Sequence, residues 1–258
     1  MVKTNDIKRP PREWVEAAKE IGTATLAGTL ARMGVRNTHI VGPVSRTPGR
    51  VEAGPALTLQ FMPKREDLYD VDEYADPEKQ LHRHVLYHTQ PGDMVVVDAR
   101  GDLTSGVFGE MMLTYFRGKG GRGVVIDGCI RDYPNAKKID LGLWVKGLTP
   151  NFHTQTNIVP FAVNVPVAVG GVLVMPGDII VADDDGAIVL PVGLAEAALK
   201  EASGHHDWEV FSKLRLEAGG ELRRYYPLSK EAEPEYEEWK KRQAKNAGKK
   251  AKAPAKKK

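Results

Sequence analysis

The segment from Gly106 to Asp132, GVFGEMMLTYFRGKGGRGVVIDGCIRD, leaves few folds open to this chain. Gly106 and Gly109 permit a tight turn where a side chain would clash. Met111 to Phe116 reads as a short helix. Its free N–H groups point back toward Gly109-Glu110 and make an anion site there. Gly118, Gly120, Gly121 and Gly123 break that helix, and the β-branched run Val124-Val125-Ile126 reads as a buried strand ended by Asp127-Gly128. Helix, glycine turn and buried strand in succession specify an α/β protein with central β-structure flanked by helices. Arg131-Asp132 follows at the strand's exit, where ligands of such folds sit.

Glu110, Arg131 and Asp132 thereby come close to one turn. Carboxylates hold a hard divalent cation such as Mg²⁺, a few of them sufficing because the ion keeps several waters. Arginine grips a carboxylate or polarises a carbonyl with its planar fork. A helix N-terminus takes the remaining negative charge. The combination suits an α-keto acid and the enolate derived from it.

The same residues resemble the RraA-like family, which includes the class II 4-hydroxy-4-methyl-2-oxoglutarate / 4-carboxy-4-hydroxy-2-oxoadipate aldolases. That family's signature is an Asp, twenty intervening residues, then Arg-Asp; this chain has Glu110, twenty residues, then Arg131-Asp132. PGDMVVVD at Pro91–Asp98 and VNVPVAVGGVLVMPGDIIVADDDGAIVLP at Val163–Pro191 extend the likeness, so that it covers about residues 15–200. Three departures stand out: Glu110 replaces an Asp, Asn135 stands where an acid is often found, and Gly28-Thr29-Leu30 replaces an Asp-Ala-Leu. The resemblance implies an α-β-β-α sandwich, assembled as a homotrimer or a dimer of trimers with sites at subunit interfaces. It implies a metal-dependent carbon–carbon lyase that releases pyruvate from a 2-oxo acid, with oxaloacetate decarboxylation possible at the same site. Asp132 is then the ligand to Mg²⁺ or Mn²⁺, and Glu110 acts through water. Arg131 holds the keto group and carboxylate, with Gly109 and the N–H groups of Met111 and Met112 at the helix start. The proton acceptor falls to a metal-bound water or to an acid of a neighbouring subunit. Two other readings stay open: a protein-binding regulator of an RNA-degrading endonuclease, as some RraA-like proteins are, or a different metal-dependent reaction on a related acid.

Composition bounds the rest. The net charge of +3 is a property of the tail, since the last fifteen residues hold seven Lys and no acid; without them 30 basic residues face 34 acidic ones. A Lys/Ala/Pro tail from 244 to 258 reads as a disordered, solvated segment. Nucleic-acid binding is not expected of it, because no aromatic residues are interleaved for stacking. No apolar run reaches membrane-spanning length. The first residues lack the apolar core of a secretory signal, and a single cysteine makes no internal disulfide, which together point to the cytoplasm.

Along the chain, helices are expected at Arg12–Glu20 and Thr23–Met33, and strands at Thr38–Val44 and Val51–Phe61. Pro63–Glu78 reads as an insertion or lid. Lys79–His88 reads as a surface helix whose His82, His84 and His88 form a polar face rather than a metal site. The phrase Pro-Gly-Asp turns into strands at Met94–Asp98 and again at Ile179–Asp183. Trp144-Val145 and Pro166–Val174 are β-rich, and Asp183-Asp184-Asp185-Gly186 reads as a solvated hairpin turn before Ala187–Leu190. Specificity is expected from Asn135, Lys137, Lys138 and His153. Cys129 reads as a small buried residue. Helices follow at Leu194–Ala202 and His205–Leu216. The RraA-like domain is expected to close near residue 227, before a charged helix at 228–243.

Overall fold

The computed structural model describes residues 4–68, 76–152 and 157–251. Two compact units result, Met1–Lys200 and Glu201–Lys258. The boundary expected near Pro227 lies inside the second.

The first unit opens with helices α1 (Arg12–Ile21) and α2 (Thr23–Arg32). The single strand expected over Thr38–Val44 is two short ones, β1 (His39–Ile40) and β2 (Val44–Ser45). Gly42 takes φ +114° between them, a conformation that suits glycine, and Pro43 has no N–H for a ladder. The chain turns there, and the two pieces join opposite ends of the sheet. Next come β3 (Glu52–Pro63), a 3-10 turn at Pro77–Lys79, α3 (Leu81–Tyr87) and β4 (Met94–Asp98). Then follow α4 (Glu110–Gly118), β5 (Gly123–Ile130), α5 (Tyr133–Ala136) and β6 (Gly142–Leu148). Five strands complete the unit: β7 (Ile158–Val163), β8 (Val167–Val169), β9 (Val172–Val174), β10 (Ile179–Asp183) and β11 (Gly186–Leu190).

The strand order is β1-β11-β10-β3-β4-β5-β6-β2, with β7 also on β3 and β8-β9 a separate hairpin. Strands β3 to β6 run parallel, and the remaining pairings are antiparallel. β3 is shared: Glu52 to Pro55 pair with β10, whereas Ala56 to Gln60 pair with β4. Alternation along the strands then builds two cores. Leu57, Leu59, Val95, Val97, Val124 and Ile126 face Val85, Leu86, Leu113 and Phe116 of α3 and α4. Ala56, Met94, Val96, Val125 and Trp144 face Ile180, Ala182, Ala187 and Val189 of the other sheet half, together with the β8-β9 hairpin. Helices α1 and α2 pack on β10 and β11. The layers are thus helix, sheet, sheet, helix, in agreement with the expected sandwich.

β5 continues through Asp127-Gly128, which the sequence marks as its end. The register shifts between Ile126 and Cys129, so the turn-like pair is absorbed as an irregularity. A Cβ on Gly128 would lie 2.6 Å from that of Ala99, so the glycine serves close packing here. Both Pro-Gly-Asp phrases are turns with a buried aspartate. Gly92 and Gly177 have φ +104° and +90°. Asp93 accepts the Gln90 N–H at 2.8 Å, and Asp178 accepts those of Met175 and Val192 at 2.9 and 3.0 Å. Asp183-Asp184-Asp185-Gly186 is the β10-β11 hairpin turn. Asp183 accepts the Thr23 N–H at 3.1 Å and its hydroxyl at 2.7 Å, capping the start of α2.

The expected surface helix at Lys79–His88 differs most. His82 and His84 are buried, 3% and 4% exposed, because α3 lies against β7 and α4. His84 Nε2 is 2.6 Å from the Glu78 carbonyl. Residues 69–75 of the Pro63–Glu78 insertion fall outside the described residues, as does His153.

In the second unit the two helices expected at Leu194–Ala202 and His205–Leu216 are one, α6 (Ala195–Glu217), which starts in the first unit. α7 (Leu222–Tyr225) and α8 (Glu233–Ala251) follow. Phe211, Tyr225 and Ala232 form a core of their own with Tyr236 and Trp239 beside it. α8 takes in residues 244–251 of the segment expected to be disordered, consistent with the high helix propensity of Ala and Lys.

Candidate functional site

The site assembles where the chain leaves β5 and enters α4. Residues 106–108 run alongside the end of β5: the Val107 N–H donates to the Cys129 carbonyl at 2.9 Å, and the Arg131 N–H to the Phe108 carbonyl at 3.0 Å. A Cβ on Gly106 would strike the Asn151 carbonyl oxygen. At Gly109 it would strike Asp132 Oδ2 and come within 2.9 Å of Arg131 Nε. Gly109 has φ −111°, which any residue adopts, so glycine is needed here for close approach alone. The two glycines that mark the turn in the sequence are thus what lets Arg131-Asp132 reach the first turn of α4.

Asp132 has φ +58°, a left-handed backbone unusual outside glycine. That twist ends β5 and starts α5, and it turns the carboxylate toward α4. Asp132 Oδ2 accepts the Glu110 N–H at 3.3 Å and lies 3.6 Å from Arg131 Nε. Arg131 and Asp132 keep side chains 40% and 42% exposed, open to a ligand. The guanidinium stands over the Phe152 ring, 5.8 Å from its centroid. Met111 and Met112 follow in the first helical turn, where the α-helix itself offers their N–H groups no partner.

A cavity of about 180 Å³ lies against this corner. Gly109, Met111, Met112, Arg131 and Asp132 line it, with Gln80, His82 and Arg83 of the α3 segment opposite. Five of the six residues singled out in the sequence therefore border one space. The sixth, Glu110, is placed differently: its backbone meets Asp132, while its carboxylate Oε2 accepts the Asn135 amide at 3.1 Å. Asn135 Oδ1 in turn accepts Lys138 Nζ at 3.0 Å. Lys137 lies over the Tyr133 ring in a separate cleft with Arg46 and Arg50. The histidine spacing alone places His82 on a polar face. The signal against that assignment was the apolar Leu81, Val85 and Leu86 interleaved with it, which put part of this helix inside. Cys129 is buried, and burial, reinforced by the negative charge of Asp102, raises its thiol pKa above the ordinary value. It is a poor nucleophile, as the sequence suggested.

The corner can bind an anion between a guanidinium and a helix N-terminus with a carboxylate beside it. Among the described residues, no three His, Cys, Asp or Glu side chains gather into a metal cluster. No helix is long and apolar enough to cross a membrane, among the same residues.

The RraA-like family model (Aldolase/RraA) matches residues 23–189. A curated relative from Halalkalibacterium halodurans, named a putative 4-hydroxy-4-methyl-2-oxoglutarate aldolase, is 38% identical over 117 residues, 45% of this chain and 55% of that one. The chain thus spans about half the length of the curated relative it matches. The crystal structure of Streptomyces coelicolor RraAS2, described as an unusual member of the RNase ES inhibitor RraA protein family, is 42% identical with a TM-score of 0.73, covering 81% of this chain and 99% of that one. An uncharacterised protein from Pseudomonas syringae pv. tomato shares the fold at 23% identity and a TM-score of 0.71, covering 85% and 99%. The extent of the family match, together with the RraAS2 likeness along that protein's whole length, establishes that this chain belongs to the RraA-like family.

Proposed function

We propose that the protein is a divalent-metal-dependent lyase that cleaves a 2-oxo acid and releases pyruvate. The observation that carries this is the meeting of Arg131, Asp132 and the start of α4 on one cavity. The name of the Halalkalibacterium relative supports it. The donor set fits Mg²⁺ or Mn²⁺: Asp132 offers a half-exposed carboxylate, and Glu110, in the first turn of α4, offers a second that Asn135 holds to one side. Such ions take one or two carboxylates and fill their shell with water and substrate oxygens. Asp132 would be the direct ligand and Glu110 would act through water. When bound, the ion supplies Lewis-acid stabilisation of negative charge on the keto oxygen.

The chain's own groups do the rest. Arg131 forks the substrate carboxylate and keto oxygen. The Met111 and Met112 N–H groups take the carboxylate from the other side, and Gly109 leaves room for it. Charge that develops on the keto oxygen as the bond beyond C3 breaks meets donors already in position. Retro-aldol cleavage and oxaloacetate decarboxylation share that enolate, so one site serves both. The assembly expected of the family, a trimer or a dimer of trimers, belongs to this proposal, and sedimentation velocity checks it.

The test is pyruvate release from oxaloacetate and from 4-hydroxy-4-methyl-2-oxoglutarate, with Mg²⁺ and with EDTA, beside Asp132→Ala. Release that needs the metal and falls by roughly 100-fold or more in the variant is the expected result. No release from either acid by folded, metal-supplied protein would sink the assignment. A second reading rests on the likeness to RraAS2, described as belonging to a family of RNase inhibitors. It predicts inhibition of a purified endonuclease that persists in Asp132→Ala.

A further inference from the structure

The candidate cavity does not end at Met112. A groove of about 330 Å³ continues from it between α3 and α4, and the two spaces share Arg83, Met111 and Met112. Beyond those three the groove is lined by Leu86, Tyr87 and Tyr115. Met111 and Tyr115 sit one helical turn apart on α4 and are 70% and 42% exposed. Tyr87 stands edge-on to Tyr115, with ring centroids 6.1 Å apart. The groove therefore has aromatic walls and an apolar floor. Its cation, Arg83, is held by neutral groups: its Nε donates to Gln80 Oε1 at 2.9 Å, and its guanidinium also bonds the Tyr87 hydroxyl.

We propose that this groove is the subsite for the distal half of the substrate, and that the preferred substrate is a 4-hydroxy-2-oxo acid with an apolar or aryl group at C4. The inference rests on the lyase reading above. With the carboxylate and keto group held by Arg131 and the α4 N-terminus, a chain that runs past Met111 and Met112 arrives between the tyrosines. A second carboxylate there would lose water against Leu86, Met112 and two ring faces, and Arg83 would have to leave Gln80 and Tyr87 to receive it. An aryl group would stack and bury apolar surface instead. Cleavage breaks the C3–C4 bond: C4 keeps its oxygen as the new carbonyl, the hydroxyl proton leaves, and C3 gains a proton to become the pyruvate methyl. The second product is the aldehyde or ketone that bears the apolar group.

The experiment compares kcat/KM for 4-hydroxy-2-oxo-4-phenylbutanoate, 4-hydroxy-4-methyl-2-oxoglutarate and oxaloacetate in the full chain and in Tyr115→Ala. Pyruvate and benzaldehyde are measured separately. The expected result is a preference for the phenyl substrate over the dicarboxylate of roughly tenfold or more, lost in the variant, as for removal of one apolar contact. Oxaloacetate, which carries nothing beyond its C4 carboxylate, loses less than the phenyl substrate in the variant. Equal or better use of the dicarboxylate by the wild type overturns the subsite while leaving the lyase reading intact. So does a Tyr115→Ala effect of equal size on all three substrates. Size-exclusion chromatography covers the remaining occupant: if Tyr115→Asp dissociates an assembly while the phenyl preference persists, the groove is a contact between copies and the subsite is overturned. Absence of pyruvate from all three acids removes the lyase reading and this proposal with it.

Discussion

At the scale of single residues, the site depends on what is missing at position 109. Gly109→Ala keeps an allowed backbone but drives a methyl into Asp132 Oδ2 and toward Arg131. The expected outcome is a loss of about 100-fold in pyruvate release, as for a catalytic group displaced by an ångström, with unfolding free energy changed by only about 1 kcal/mol. Steady-state kinetics and urea unfolding on the same preparation separate the two. Asp140 behaves differently. Arg50 and Arg117 donate to its carboxylate, Arg117 at 2.7 Å, and hold its pKa down at about 2 from an ordinary 3.8. Ionisation is thus favoured in the folded state. The stabilisation is complete above pH 3.8 or so and disappears as pH falls through about 2. Asp140→Asn should therefore lower the urea midpoint at pH 7 and leave it nearly unchanged at pH 2, with a small difference because the group is exposed.

At the scale of elements, α2 takes its start from another part of the fold. Asp183, in the β10-β11 turn, receives both the N–H and the hydroxyl of Thr23. Asp183→Ala should cost about 1 kcal/mol, the usual effect of losing a helix cap, and faster amide exchange over Thr23–Leu26 would locate it. Such links explain which parts of the structure were readable. The parallel strands β4 and β5 were legible because both faces are covered and the run of Val and Ile has no other use. The Gly109–Asp132 corner was legible because its glycines, helix start and Arg-Asp pair are contiguous or nearly so in sequence. The α3 segment was not: three histidines outweighed the apolar residues between them, and burial of His82 and His84 is decided by β7, some seventy residues later. Nor could spacing tell that Glu110 would turn to Asn135, since the two meet only once α4 and α5 pack together.

At the scale of the whole molecule, the C-terminal unit has its own core, in which Phe211 meets the rings of Tyr225, Tyr236 and Trp239 at centroid distances of 5.6 to 6.1 Å. Phe211 is 1% exposed, and Phe211→Ala should cost that unit about 3–5 kcal/mol. Hydrogen exchange would find the loss of protection confined to α7, α8 and the end of α6, with β3 to β6 unaffected. Among the described residues, none that lines the candidate cavity comes from this unit. β3 carries the opposite lesson, because both halves of the first unit are joined through it. Pro55 pairs with Ile179 and Phe61 with Pro160, so neither antiparallel partner has been synthesised when β3 leaves the ribosome. A nascent chain must wait for more than a hundred further residues before that edge is closed. Until then an apolar strand offers unpaired N–H and C=O groups to any neighbour. The period of greatest danger for this protein is thus its own translation, and a chaperone that holds the emerging N-terminal third should raise the yield of folded protein more than any stabilising substitution in the finished molecule.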